Sequence, residues 1–154
     1  MDWVTDQIAV GNIEDAMNYA SLREAGVTAI LCLNGFPKAA RVQGFQWACV
    51  ELIDGPGNAF HQLEAAVAQL DQLAQNNRVM VHCMEGLSRS VFVVACHLSR
   101  SQRIPIVDAI ALVKSRRSRA HVDQGLMSLL AERQLAARDV FLSEHHNEAL
   151  PERV

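Results

Sequence analysis

Val79-Met80-Val81-His82-Cys83-Met84-Glu85-Gly86-Leu87-Ser88-Arg89-Ser90-Val91-Phe92-Val93-Val94 decides how this chain is read. A short apolar strand delivers a cysteine, five residues intervene, and an arginine opens an apolar segment long enough to be a central helix. A loop that closes on a helix N-terminus points successive backbone N–H groups inward, and the helix dipole adds positive potential there. Such a loop is built to hold an oxyanion. Cys83 then lies beneath the bound centre, in surroundings that stabilise thiolate over thiol and bring its pKa below the free value of about 8.5. Arg89, at the end of the loop, brings a planar fork that grips two oxygens at once, which a lysine point charge would not do.

These residues resemble the loop of the protein tyrosine phosphatase superfamily, which reads His-Cys, five residues, Arg, then Ser or Thr. The likeness is to the dual-specificity branch, in its small single-domain atypical form. It continues outside the loop: Asp2 to Gly26 resembles the family's amino-terminal strand pair and first helix, and Val27 to Asn34 its next strand. Phe45 to Asp54, Arg78 to Arg103 and Val107 to Leu130 fit as well, so about nine-tenths of the chain is covered. The fold implied is α/β, a central, mostly parallel sheet flanked by helices on both sides. The domain would span residues 1–144, leaving 145–154 as a C-terminal tail.

The reaction implied is hydrolysis of phosphate monoesters through a phosphocysteine, without metal or cofactor. Phosphotyrosine and phosphoserine or phosphothreonine of proteins are the expected substrates. Cys83 would be the nucleophile rather than a buried structural cysteine, and Arg89 the oxyanion clamp. Ser90 resembles the family hydroxyl that hydrogen-bonds the thiolate and helps it leave in the second step; otherwise it is an ordinary first-turn serine. His82, Met84, Glu85, Gly86, Leu87 and Ser88 complete the phosphate-binding loop. His82 would orient the loop and tune the cysteine, Gly86 would let backbone approach the phosphate closely, and Met84 and Leu87 would be walls.

Two steps of proton transfer need an acid. Asp54 opens Asp54-Gly55-Pro56-Gly57 after an apolar stretch, 29 residues before Cys83, a spacing similar to that of dual-specificity relatives. It would protonate the departing oxygen and then, as carboxylate, take a proton from the attacking water. The competing reading makes Asp-Gly plain turn chemistry. Val122-Asp123 departs from the family, where Pro-Asn commonly precedes the glycine that is Gly125 here. An ionised Asp123 accepts hydrogen bonds but cannot donate them, which puts the family's brace on the loop in question. The basic run Lys114, Arg116, Arg117 and Arg119 either rims the pocket or simply complements a helix C-terminus.

With 154 residues, half of them apolar, the chain has the size of one domain with a real core. A net charge of −3 implies no nucleic-acid or membrane partner, so any anion preference is local. Neither a secretory leader nor a membrane-spanning run is visible, and a cytoplasmic location is expected, with a phosphorylated protein as partner and a monomer as the expected state. Cys32, Cys49, Cys83 and Cys96 have no framework spacing, and no CxxC or paired-histidine pattern points to a metal. Cys32, Cys49 and Cys96 are read as small core residues, with a reversible disulfide from Cys32 or Cys49 to Cys83 as the alternative.

Periodicity predicts strands at Ile8 to Gly11, Thr28 to Leu33, Phe45 to Ile53 and Val79 to Val81, with the second and third lying in the interior of a covered sheet. Helices are predicted from Ile13 to Glu24, Ala59 to Gln75, Arg89 to about Arg100 and Pro105 to about Lys114, and a last one capped by Asp123 running to about Phe141.

The loop excludes look-alikes. Low-molecular-weight phosphatases place the cysteine near the amino terminus with the acid downstream, and rhodanese-type sulfurtransferases use a shorter or differently charged loop. A catalytically dead phosphate reader normally lacks the cysteine or the arginine. Two alternatives stay open: a phosphate-binding scaffold with vestigial activity, and a non-protein substrate such as a phosphoinositide, RNA 5′-phosphate or phosphoglucan. Lipid phosphatases usually carry basic residues inside the loop, where this chain has Glu85.

Overall fold

Val79, Met80 and Val81 are fully buried, so the strand they form has apolar side chains on both faces and is covered on both. The computed structural model describes residues 1–35 and 41–131 and gathers five strands into one sheet. They are β1 (Asp2–Trp3), β2 (Ile8–Gly11), β3 (Ala29–Cys32), β4 (Gln46–Cys49) and β5 (Val79–His82). Their order is β1-β2-β5-β3-β4, with β5 at the centre. Only the β1–β2 pair is antiparallel. The mostly parallel sheet inferred from the sequence is therefore observed.

Helices cover both faces. On one side lie α1 (Ile13–Met17) and α2 (Tyr19–Glu24), packing Ala16 and Leu22 with Ile30, Phe45 and Met80. On the other lie α3 (Phe60–Ala74), α4 (Arg89–Gln102), α5 (Ile106–Arg116) and a helix at residues 124–131, here α6. They share a core with Leu31, Val79, Val81 and Cys83. Alternation along β5 thus sends Val79, Val81 and Cys83 to the α4 side and Met80 to the other. In α3 the buried positions are Leu63, Ala66, Val67, Leu70 and Leu73, the stripe expected from helical spacing.

Two expectations need correction. The helix predicted from Ile13 to Glu24 is broken at Asn18. Its N–H closes α1 on Glu14 and Asp15, while its side chain accepts from the Ser21 N–H at 3.1 Å and starts α2. A short amide side chain that satisfies backbone groups locally competes with helix continuation. The strand predicted over Phe45 to Ile53 is shorter and lies at the sheet edge, where Gln46 is exposed and the rest of β4 half-buried. Beyond it Val50 and Leu52 still donate to the Cys32 and Leu33 carbonyls, at 3.0 and 3.1 Å, so the chain runs along β3 toward Asp54. Asp123 does cap α6, its carboxylate accepting from the Gly125 N–H at 2.7 Å. The proposed continuation to Phe141 and the tail lie outside the described residues. Among those described, no helix is long and apolar enough to cross a membrane.

Candidate active site

β5 and α4 converge on the loop as its sequence demands. His82, at the end of β5, is fully buried and donates from Nδ1 to the Cys83 carbonyl at 3.3 Å. Burial holds this imidazole below its ordinary value of 6.5, outweighing the contrary pull of that carbonyl, so it is neutral near pH 7. Cys83 is 1% exposed. Its Sγ lies 3.4 Å from Ser90 Oγ and accepts from the Gly86 N–H at 3.2 Å. Burial pushes this thiol up, but the Ser90 hydroxyl and N–H, the Gly86 N–H and the Arg89 charge together outweigh it. The thiol therefore titrates below its ordinary value. Cys96, half-buried on α4, is pushed up to about 12 by burial, which the Arg100 charge opposes only in part.

Gly86 has φ 67°, a left-handed conformation that glycine adopts freely. Glycine here also has a packing reason. A Cβ at Gly86 would lie 2.4 Å from the Gly11 carbonyl oxygen, so the close approach is to the end of β2. Met84 and Leu87 line a cleft of about 390 Å³ beside the loop, together with Ile13, Glu14, Glu85 and Arg119, and Met84 is half exposed.

Arg89 is the first residue of α4, and its side chain is 13% exposed. One Nη donates to the Leu52 carbonyl at 3.1 Å, whereas Nε is buried and has no hydrogen-bond partner among the described residues. The Asp54 carboxylate stands 4.0 Å from that Nε. The structure thus brings Cys83, Ser90, Gly86, Arg89 and Asp54 to one place. Asp54 itself is half exposed and makes no hydrogen bond within its own turn among the described residues. The turn is held by Asn58, which the sequence reading missed: it accepts from the Ile53 N–H at 2.7 Å and donates to the Ile53 and Gly55 carbonyls at 2.8 and 3.1 Å. Gly55 and Gly57 both have positive φ. A plain turn-forming role for Asp54 thus has no bond to support it.

The brace that Asp123 placed in question is made by main chain. The Asp123 N–H donates to Ser88 Oγ at 3.1 Å and the His121 N–H to the Leu87 carbonyl at 2.9 Å. On the other flank the Ile13 N–H donates to the Met84 carbonyl at 3.0 Å. Of the basic run, Arg119 lines the cleft, whereas Arg117 turns to the back of the loop. Cys32 and Cys49 are register partners on adjacent strands and alternate with Leu31 and Ala48, so they face away from the Cys83 side. Among the described residues no group of three or more His, Cys, Asp or Glu gathers to hold a metal.

The family pattern described as dual specificity phosphatase, catalytic domain, matches residues 8–135. Mouse dual specificity protein phosphatase 12 is 32% identical over 109 residues, covering 68% of this chain and 32% of that protein. Bovine dual specificity protein phosphatase 26 is 33% identical over 124 residues, 75% of this chain and 59% of that one. The chain thus spans about a third of the mouse relative and under two thirds of the bovine one. Among solved structures, human DUSP28 superposes with a TM-score of 0.78 at 23% identity, covering 90% of this chain and 99% of that one. The human tyrosine phosphatase-like serine/threonine/tyrosine-interacting protein gives 0.74 at 22%, over 89% and 97%. With loop, sheet and sequence pattern in agreement, the chain belongs to the dual specificity phosphatase catalytic-domain family.

Proposed function

We propose that this protein hydrolyses phosphate monoesters through a phosphocysteine on Cys83, acting on phosphotyrosine and on phosphoserine or phosphothreonine of proteins. The observation that carries the reading is a buried thiol that titrates below its ordinary value, held by Ser90 and Gly86 at the start of α4. In the first step the Cys83 sulfur bonds to phosphorus, the phosphorus–oxygen ester bond breaks, and Asp54 gives its proton to the leaving oxygen. In the second, water attacks phosphorus, Asp54 takes its proton, and the sulfur leaves as thiolate with the Ser90 hydroxyl donating to it. Arg89, whose buried Nε has no acceptor among the described residues, supplies donors to the phosphoryl oxygens in both. No step needs a metal, and a reducing cytoplasm suits the free thiol.

The test is hydrolysis of p-nitrophenyl phosphate by the full chain, with turnover expected for the wild type and none for Cys83→Ser, which should still bind vanadate. Substantial turnover by that variant would remove Cys83 from the mechanism. A wild type that binds vanadate without turnover would make the chain a phosphate-binding scaffold. Relative rates on phosphopeptides, phosphoinositides and RNA 5′-phosphate ends then identify the substrate class, with phosphopeptides expected to lead. The exposed Glu85 in the loop repels the additional phosphates of a polyphosphorylated lipid.

A further inference from the structure

Arg117 lies just past the end of α5, and its side chain is only 11% exposed. Its guanidinium is applied to the outside of the loop. Nε donates to the Gly86 carbonyl at 2.6 Å and one Nη to the Glu85 carbonyl at 3.4 Å, while the other Nη pairs with the Asp2 carboxylate. One rigid fork therefore spans two consecutive peptide units, and β1 fixes its remaining corner.

A trans peptide points its N–H opposite to its C=O. Holding the Glu85 carbonyl outward consequently turns the Gly86 N–H inward, and this is the N–H that donates to Cys83 Sγ at 3.2 Å. Holding the Gly86 carbonyl outward turns the Leu87 N–H inward in the same way. A cation on the carbonyl end also polarises each peptide unit and strengthens its N–H as a donor. A Cβ at Gly86 would meet the Gly11 carbonyl oxygen at 2.4 Å and an Arg117 Nη at 2.8 Å, so the fork closes on a position that only glycine fits.

We propose that Arg117, anchored by Asp2, is a positioning residue of the phosphate-binding loop, aiming the Gly86 and Leu87 N–H groups at the Cys83 sulfur and at the bound oxyanion. It acts from behind and touches neither substrate nor sulfur. The part concerning the oxyanion rests on the phosphatase reading above; the part concerning the sulfur stands without it. A lysine here would keep the charge but could not span both carbonyls and Asp2 together.

The experiment uses the full chain and follows alkylation of Cys83 by iodoacetamide against pH, read on the Cys83 peptide by mass spectrometry. It is repeated with inorganic phosphate as protectant. In Arg117→Ala the alkylation midpoint should rise by about one pH unit, because a donor to the charged form is lost. Protection by phosphate should weaken about tenfold. Arg117→Lys should recover less than half of the rise, and Asp2→Asn should show a smaller rise. An unchanged midpoint and unchanged protection in Arg117→Ala, whatever happens to its thermal transition, would overturn the proposal. So would full recovery by lysine. If Arg117→Ala does not fold, unchanged midpoints in both Arg117→Lys and Asp2→Asn overturn it equally. Hydrolysis of p-nitrophenyl phosphate by the wild type separates the two readings. No hydrolysis with a shifted midpoint sinks the hydrolase and keeps the positioning role, whereas hydrolysis with an unshifted midpoint does the reverse.

Discussion

The loop bearing Cys83 and the turn bearing Asp54 are both pinned along their main chains, yet they present their side chains in opposite ways. Around Cys83 the backbone is held from Ile13, His121 and Asp123, and the sulfur itself is buried and bonded by Ser90 and Gly86. Around Asp54, Asn58 bonds the turn and Gly125 abuts Pro56 so closely that a Cβ would lie 2.3 Å from the Pro56 nitrogen. The carboxylate nonetheless stays half exposed, with Arg89 at 4.0 Å as its charged neighbour. The difference suits the two proposed tasks. A thiolate must meet its donors before substrate arrives, since preorganised dipoles are what lower its basicity. An acid must keep its proton available to leaving oxygens of different shapes, so fixing its backbone and freeing its side chain serves it better.

The largest test of this contrast is Asp54→Asn. If the free carboxylate is the acid, kcat should fall by roughly 10²- to 10⁴-fold on phosphoserine peptides, with binding retained. The loss should shrink for p-nitrophenyl phosphate, whose leaving group needs little protonation, and the basic limb of the pH–rate profile should disappear. A uniform, small effect across leaving groups would return Asp54 to a turn role. Next comes Arg89→Lys, expected to lower kcat/KM by about 10²- to 10³-fold despite the retained charge, because bidentate contact with the phosphoryl oxygens is lost. Rates near wild type would contradict the clamp.

Asn58→Ala probes the backbone half of the acid turn. It strands the Ile53 N–H and two carbonyls, so thermal unfolding should report a loss of about 2–3 kcal/mol. Activity should fall in the same leaving-group-dependent pattern as for Asp54, while the pH midpoint for Cys83 alkylation stays put. The smallest effect concerns His82. Its folded pKa lies below the ordinary 6.5, so the unfolded chain binds the proton more readily. The contribution of neutral His82 to stability is therefore complete above pH 6.5 and is lost as pH falls from there through the lower folded value. Melting temperatures between pH 5 and 7 check this, and His82→Gln should flatten that slope.

Much of this was legible in the chain because it depends on local pattern. A five-residue interval between cysteine and arginine, set between a short apolar strand and an all-round apolar stretch, specifies strand, loop and helix together. The α3 stripe is likewise written in its 3.6-residue period. The elements that escaped are those whose form depends on partners distant in sequence. Nothing within Phe45 to Ile53 says that it will lie at an edge; that depends on the order of the other strands. Asn18 looks like any polar helix residue until its side chain is seen bonding the Ser21 N–H. Arg117 sits in a basic run whose members look equivalent, and only the approach of Asp2 and of the Glu85 and Gly86 carbonyls distinguishes it. For Asn58 the sequence offered turn composition and no hint of a buried amide.

The alternation of β5 has a consequence for oxidative chemistry. Cys32 and Cys49 lie across the sheet from Cys83, and Cys96 stands seven residues beyond Arg89 on α4, roughly 10 Å along the helix axis. A disulfide requires Cα atoms within about 7 Å and Cβ vectors that converge. None of the three meets that condition without moving backbone. A peroxide that converts the Cys83 thiolate to sulfenic acid therefore finds no resolving thiol inside the domain, and recovery falls to a small thiol from solution before a second equivalent carries the sulfur irreversibly to sulfinic acid.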